Sequence, residues 1–454
     1  MAGIGFAFRR NLQSESYLGL FRAYAVAAVV GSGPWLISMG SLLCIGLYAQ
    51  QVGRDTDVVT QFLGTVTHLM ALSLIVAGVL QLVLVRFVAD QLFTGRTDQV
   101  FPNLLGAMAA VTALGAVVAS VESFAFPPGT ALLRALYVAA FVALCNVWLL
   151  AAMMSGLKKY FGVVVVFGVG YLAIVSVAGL LSHFQLPGYL AAFLLGQGAM
   201  LLGMLALVRR DYPSSGLVSL KFLTPGTAHY DLAAIGMLFN IAVWADKFVF
   251  WSNPVTSVGL IGPVRYSIVY DVPIFVSYLS VVPGVAVFFV RIEADFASAY
   301  DRYFSAVRQG ETLQELHRLR DELVVSARAG LFDILRVHGT VVAGLLLLGT
   351  PIIGLFGIPA IYSYLFKVDV VGVGFQTFLL GIFTVLFYLD YRRLVLWLCG
   401  IFAVANVGLS LLSQALGPRF YGFGFAVSAA LTSALSLQAL SHRLDRLEYE
   451  TFMR

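Results

Sequence analysis

Stretches of twenty or more apolar residues recur along this chain with almost no charge inside them, and few folds tolerate that pattern. A span across a bilayer needs about 20 apolar residues. Segments of that kind run over 20–49, 60–86, 102–121, 131–155, 160–182, 187–208, 230–252, 263–290, 330–356, 370–389, 392–416 and 421–441. Turns such as Pro127-Pro128-Gly129 and Asp390-Tyr391-Arg392-Arg393 separate them. Charged residues make up only 11% of the chain and apolar residues 60%, whereas a soluble domain carries roughly 25% charged residues. So few charges cannot coat a water-facing surface of this size, so the expected solvent is lipid. The expected fold is an all-α integral membrane protein with about twelve transmembrane helices. Residues 1–18 are mixed, and the apolar run that follows to Tyr48 is far longer than the roughly 7–15 residues of a signal h-region. It reads as a retained first span.

Basic residues set the orientation of such a chain, because cytoplasmic loops are enriched in Lys and Arg. With the N-terminus inside, 22 of the 28 Lys and Arg fall on inner segments. They include Arg9, Arg10, Lys158, Lys159, Arg209 and Arg210, and seven arginines between 291 and 336. Arg54, Arg134, Lys247, Arg265, Lys367 and Arg419 stay on the outer side or at span ends facing it. Both termini are therefore expected in the cytoplasm. The predicted organisation is an amphipathic N-terminus over 1–18, an N-lobe over 19–208, a cytoplasmic linker over 209–229, a C-lobe over 230–441 and a tail over 442–454. Six spans on each side of the linker give two lobes of the same orientation, related as parallel repeats.

The inner segment 291–329 reads as helical. Leu313, Leu316, Leu319, Leu323, Ala327 and Leu331 recur every three or four residues, with Arg318–Glu322 and His317–Asp321 as i,i+4 pairs. Two readings stand side by side: a helix on the membrane surface with a solvated face, or a docking face for a cytoplasmic partner built on Arg302, Glu315, Arg318 and Glu322.

Several chemistries lack their residues. There is no GxxxxGK[ST] phosphate loop and no HExxH or Cys/His cluster. Asp55-Thr56-Asp57 has the DxD form of nucleotide-sugar enzymes, but the orientation places it in an outer loop, where it reads as a solvated turn. Cys44, Cys145 and Cys399 sit in apolar runs at spacings that fit neither a disulfide framework nor a metal site. No covalent chemistry, metal or cofactor is expected. The net charge of +5 follows from topology and does not argue for nucleic acid.

Ionisable residues inside a membrane are costly, so each is a functional candidate. Asp246 and Lys247 lie in the seventh span, with Arg265 and Asp271 in the eighth. At about 1.5 Å per residue all four fall in the outer half of the membrane, and their charges sum to zero. An ion-paired clamp between two helices and the polar wall of a solute cavity both fit. Trp244, Trp251, Tyr266, Tyr270 and Tyr278 nearby suit sugar rings, which offer C–H faces and hydroxyl edges, though Trp251 also fits an interfacial aromatic belt. Pro263, Pro273 and Pro283 remove backbone donors from the eighth span, and broken helices line cavities in transporters. Gly31-Ser32-Gly33-Pro34-Trp35 interrupts the first span in the same way. Trp35 and Trp244 fall at similar depth on corresponding spans, and with Ser32 they are expected to face one central cavity. His68, Gln81, Asn146, Gln197, Gln376, Asn406 and Gln414 read mostly as interhelical hydrogen-bonding glue.

Several segments in order resemble the PelG family, membrane subunits of the Pel exopolysaccharide machinery. They are Met1-Ala2-Gly3-Ile4-Gly5-Phe6 with Arg9-Arg10, Ser32-Gly33-Pro34-Trp35, Asp246-Lys247-Phe248-Val249-Phe250-Trp251, Phe288-Phe289-Val290-Arg291-Ile292-Glu293, Tyr300-Asp301-Arg302-Tyr303, Phe387-Tyr388-Leu389-Asp390 and Glu450-Thr451-Phe452-Met453. Arg9-Arg10 departs from the family's Arg-Lys pair. The resemblance implies a twelve-helix transporter of the MATE/flippase superfamily in the bacterial inner membrane. It implies export of a nascent polymer of N-acetylated hexosamines for the biofilm matrix. The implied partners are a cytoplasmic glycosyltransferase and membrane subunits regulated by cyclic di-GMP, within a membrane lipid environment. No substrate residues come over from the family. The alternatives are an antiporter for small cations, which needs an acidic cavity, a flippase for lipid-linked oligosaccharides, which favours a basic one, and a scaffold that only anchors the synthase. Acids matched by Lys247 and Arg265 argue against the first, the few intramembrane bases against the second, and polar groups at depth against the third.

Overall fold

The computed structural model describes residues 17–51, 56–226, 229–355 and 359–453. The N-terminal segment with Arg9-Arg10, together with Arg54 and Asp55, lies outside the described residues. The helices are α1 (Tyr17–Gln51), α2 (Thr56–Phe93), α3 (Val100–Ser123), α4 (Ala131–Gly156), α5 (Tyr160–Leu181), α6 (Gln185–Asp211) and α7 (Tyr230–Ser252). A hairpin of β1 (Val258–Ile261) and β2 (Val264–Tyr266) follows. Then come α8 (Ile268–Ser277), α9 (Val281–Phe288), α10 (Ala297–Gln309), α11 (Leu313–Leu355), α12 (Ser363–Tyr388), α13 (Arg392–Leu416), α14 (Phe423–Asp445) and the short α15 (Leu447–Met453).

Among the described residues, 11 helical runs are long and apolar enough to cross a membrane. One of these, Tyr160–Asp211, is 52 residues long and folds back at the 3-10 turn Ser182–Phe184 into α5 and α6. Separating those two gives the expected twelve crossings.

The eighth span differs from its prediction. Residues 263–266 belong to the antiparallel hairpin, where Gly259 pairs with Arg265 and Val258 with Tyr266. The helical path begins at Ile268 and continues past 290 as one irregular rod. It passes through a 3-10 turn at Tyr278–Ser280 and a π-helical turn at Phe289–Phe296 into α10. Pro283 has no N–H to offer the carbonyl four residues earlier, so the regular ladder gives way just before it. The 291–329 segment is therefore the end of one rod, a turn at Gly310 (φ 70°), and the start of α11. Its apolar stripe is a packing seam rather than a free face. Leu316, Leu319, Leu323, Ala327 and Leu331 are buried, and only Leu313 is exposed. His317 pairs with Glu448 at 3.5 Å instead of with Asp321, whose partner is Arg320.

The first span runs helical through Gly31-Ser32-Gly33-Pro34-Trp35, with Pro34 inside α1. The described residues form two compact units, and the division crosses α1 between Ser32 and Gly33. The N-terminal unit holds Gly33–Trp244 and Trp251–Ile268, and the C-terminal unit holds the residues up to Ser32, Ala245–Phe250 and those from Val269 on.

Within the N-terminal unit, α5 packs on α6, and α2 and α6 on α4. Lipid gives helices no hydrophobic reason to associate, so close packing through small residues does that work. Gly78 of α2 lies so near α7 that a Cβ there would stand 2.7 Å from the Gly236 carbonyl oxygen. Interhelical hydrogen bonds add to this. Asn146 of α4 donates to Thr112 Oγ1 of α3 at 2.8 Å, and Trp148 to Ser73 Oγ of α2 at 3.0 Å. Of the cysteines, Cys145 and Cys399 are buried as expected, while Cys44 is exposed on α1.

Within the C-terminal unit, α14 packs on α12 and α13, and α11 on α9 and α12. The start of α1 joins it through Ala23 and Ala27 against Ala286 and Val290. At its end, α15 is fastened by charge. Glu448 pairs with Arg320 at 3.2 Å, Glu450 accepts a 2.7 Å hydrogen bond from Tyr391, and Arg443 holds Glu450 at 2.5 Å.

Candidate functional site

Five elements of the C-terminal unit bring polar side chains to one buried place. α7 supplies Asp246 and Lys247, α8 supplies Tyr270 and the turn after it Tyr278, α12 supplies Gln376 and α13 Asn406. The Asp246 carboxylate is fully buried and accepts from Tyr270 Oη at 2.7 Å and from Asn406 Nδ2 at 3.2 Å. Lys247 Nζ lies 3.1 Å from Asp246 Oδ2 and 3.4 Å from Tyr278 Oη. Tyr278 in turn donates to Gln376 Oε1 at 2.9 Å. The ammonium sits 4.9 Å from the Phe425 ring centroid and 5.3 Å from that of Tyr278, within cation–π range. Two charges out of water are tolerable only when paired and hydrogen-bonded in this way.

Asp369 was not singled out by sequence, and it belongs here. It is fully buried on α12, and no hydrogen-bond donor among the described residues reaches either carboxylate oxygen. It feels the charges of both Asp246 and Lys247. A Cβ on Gly422, the residue before α14, would stand 2.8 Å from its Oδ1, so the carboxylate lies at the positive end of that helix. Sequence offered one signal, an acid two residues after Lys367, but that pair reads as the solvated flank of a span.

The predicted pathway residues divide between the units. Ser32, Asp246, Lys247, Tyr270, Asp271 and Tyr278 are in the C-terminal unit; Trp35, Trp244, Arg265 and Tyr266 are in the N-terminal one. Ser32 Oγ donates to the Ala28 carbonyl of its own helix at 2.6 Å. Asp271 is buried on α8. Tyr270 is buried too, its ring stacked on Phe250 at 3.9 Å, so it serves as a donor to Asp246 and offers no open face to a sugar. Tyr278, Trp35, Trp244 and Tyr266 are half-buried.

Arg265 belongs to the N-terminal unit. Its guanidinium is engaged within the N-terminal unit, with Nε 2.9 Å from both the Trp251 carbonyl and Ser257 Oγ. The buried acidic and basic side chains of the C-terminal unit named above are Asp246, Asp271 and Asp369, with one base, Lys247. Trp251 is buried between His68 at 5.6 Å and Trp244 at 6.3 Å, which is core packing rather than an interfacial belt. His68 also approaches Glu122 at 3.7 Å.

Among the other polar candidates, Asn146 and Gln414 act as glue, the latter donating to the Val249 carbonyl at 3.2 Å. Gln376 and Asn406 belong to the charged cluster instead. The proposed docking residues satisfy one another on an exposed face. Arg302 pairs with Glu322 at 3.2 Å, and Arg318 with both Glu315 and Glu322.

This helical architecture is the fold of MATE-type transporters of the MOP superfamily. An outward-facing multidrug resistance MATE family transporter superposes with a TM-score of 0.67 at 13% identity, covering 94% of this chain and 96% of that one. A MOP superfamily transporter from Pyrococcus furiosus gives 0.64 at 13% identity, with the same coverage. An inward-facing MATE transporter gives 0.58 at 12%, covering 93% and 95%. No curated protein matches the chain. The family described as "PelG: Putative exopolysaccharide Exporter (EPS-E)" matches residues 1–452. The chain belongs to the PelG family, and it is a multi-pass membrane transporter protein.

Proposed function

We propose that this protein exports a nascent polysaccharide of N-acetylated hexosamines across the bacterial inner membrane, with both termini in the cytoplasm. A cytoplasmic glycosyltransferase feeds the chain, docked near Arg302, Glu315, Arg318 and Glu322, beside Pel membrane subunits regulated by cyclic di-GMP. The observation that carries the reading is the cluster of Asp246, Lys247, Tyr278, Gln376 and Asn406 on three helices and the turn after α8. Desolvated polar groups at membrane depth are expensive, and a scaffold that only anchors a synthase has no use for them. Half-buried Tyr278 supplies a ring edge and a hydroxyl of the kind a sugar polymer needs.

A second reading has its own support. Three buried acids against one base is the balance a cation requires, so cation transport or coupling of export to a cation gradient also fits.

Polymer secretion separates these readings from a scaffold. The variants are Asp271→Asn, Asp369→Asn and the paired Asp246→Asn/Lys247→Gln, each with its level in the membrane fraction measured. Lost secretion at normal protein and synthase levels supports a transport pathway. Normal secretion from all three leaves the cluster a structural clamp and favours the scaffold. Secretion that follows an imposed proton or sodium gradient favours the second reading.

A further inference from the structure

A basic cavity lies at the α4–α5 turn of the N-terminal unit, where the end of α6 comes alongside. It measures about 290 Å³, near the lower end of the about 300–1,000 Å³ of small-molecule sites. Lys158, Lys159 and Arg210 line it with one acid, Asp211, and Phe161 and Leu207 form an apolar wall. Asp211 pairs with Lys159 at 2.7 Å and with Arg210 at 3.1 Å. Those hydrogen bonds hold its carboxyl below the usual carboxylate range, so it stays charged, and the lining keeps a net positive charge of two.

Local structure aims this charge. Lys158 occupies the left-handed region at φ 60°, where glycine is the usual choice and a lysine costs about 1–2 kcal/mol. Its N–H closes α4 on the Ser155 carbonyl at 2.9 Å, and that of Lys159 on Met154 at 2.8 Å. α5 then starts at Tyr160 with no side-chain cap from Lys159, so the positive end of a 22-residue helix adds to the lysines. Phe161 stands exposed next to them, where an acyl chain would lie.

We propose that this cavity binds an anionic phosphate group, with the headgroup of an acidic phospholipid of the cytoplasmic leaflet as the source its apolar wall favours. Basic pockets between helices on that side suit such headgroups. The proposal is independent of what the protein transports.

The test uses the purified full-length protein in detergent, titrated with phosphatidylglycerol, phosphatidylcholine or inorganic phosphate, with thermal melting as readout. Phosphatidylglycerol should stabilise the protein and phosphatidylcholine should not. The triple variant Lys158→Gln/Lys159→Gln/Arg210→Gln should bind phosphatidylglycerol at least about tenfold more weakly. Arg308→Gln/Arg336→Gln/Arg393→Gln, with the same charge change on exposed sites elsewhere, should bind as the parent does. Melting in phosphatidylcholine checks that both variants fold. Stabilisation by inorganic phosphate that the first triple variant loses would assign the phosphate to a soluble source. Equal losses from both triple variants, or no preference for phosphatidylglycerol with no response to phosphate, would overturn the proposal.

Discussion

Tyr270 donates a 2.7 Å hydrogen bond to Asp246, the same carboxylate that pairs with Lys247 of the next position on α7. One buried acid thus ties α8 to the buried ammonium of Lys247. Removing either partner has predictable consequences.

Asp246→Asn should destabilise the protein severely, by about 3–5 kcal/mol, because it strands a buried lysine. Asp246→Asn/Lys247→Gln should recover much of that loss. Thermal melting of the purified variants checks the order. A double variant no more stable than the single would show that the pair is not the main partner of either charge.

Tyr270→Phe removes the donor and keeps the ring on Phe250. A hydrogen bond to a charged group contributes about 1.5–3 kcal/mol, and a loss in that range is expected. Tyr270→Leu should cost more, since it also loses the stacked contact. Equal melting temperatures for the two variants would mean the stacking contributes nothing.

Asp369→Asn should stabilise the protein while lowering secretion. A buried polar group without a partner costs about 1–3 kcal/mol, and more when charged. The opposite result, a destabilised protein that secretes normally, would make Asp369 a structural anchor for the start of α14.

Gly422→Ala should destabilise by about 1–3 kcal/mol. The residue has φ 85°, and its Cβ would stand 2.7 Å from Leu365 and 2.8 Å from Asp369. Adding Asp369→Ala should relieve part of the cost, which a double-mutant cycle on melting measures.

The spans could be read from the sequence because a bilayer demands the same thing of each: about 20 apolar residues with their backbone satisfied locally. The α5–α6 pair shows how local that information is, since the turn at Ser182–Phe184 is too brief to break the hydropathy. The hairpin at 258–266 escaped notice because Val258, Leu260, Ile261 and Val264 look like any other apolar run, and only pairing between neighbouring strands makes them β. The stripe from Leu316 to Leu331 was visible, but periodicity cannot say whether its face meets a partner or its own chain.

Intramembrane charge was legible for the same reason as the spans: Asp246, Lys247 and Asp271 interrupt apolar runs. The sequence by itself therefore determined a membrane protein of twelve crossings, its family, and where on the chain to look for a pathway. Tertiary structure decided which of those charges meet. Arg265 turned to carbonyls of its own unit, Asn406 came from 160 positions away to bond Asp246, and Asp369 was buried beside the start of α14. Hydropathy reports what each segment costs in lipid, one residue at a time. Pairing depends on the distance and direction between side chains on different helices, which helix packing alone sets.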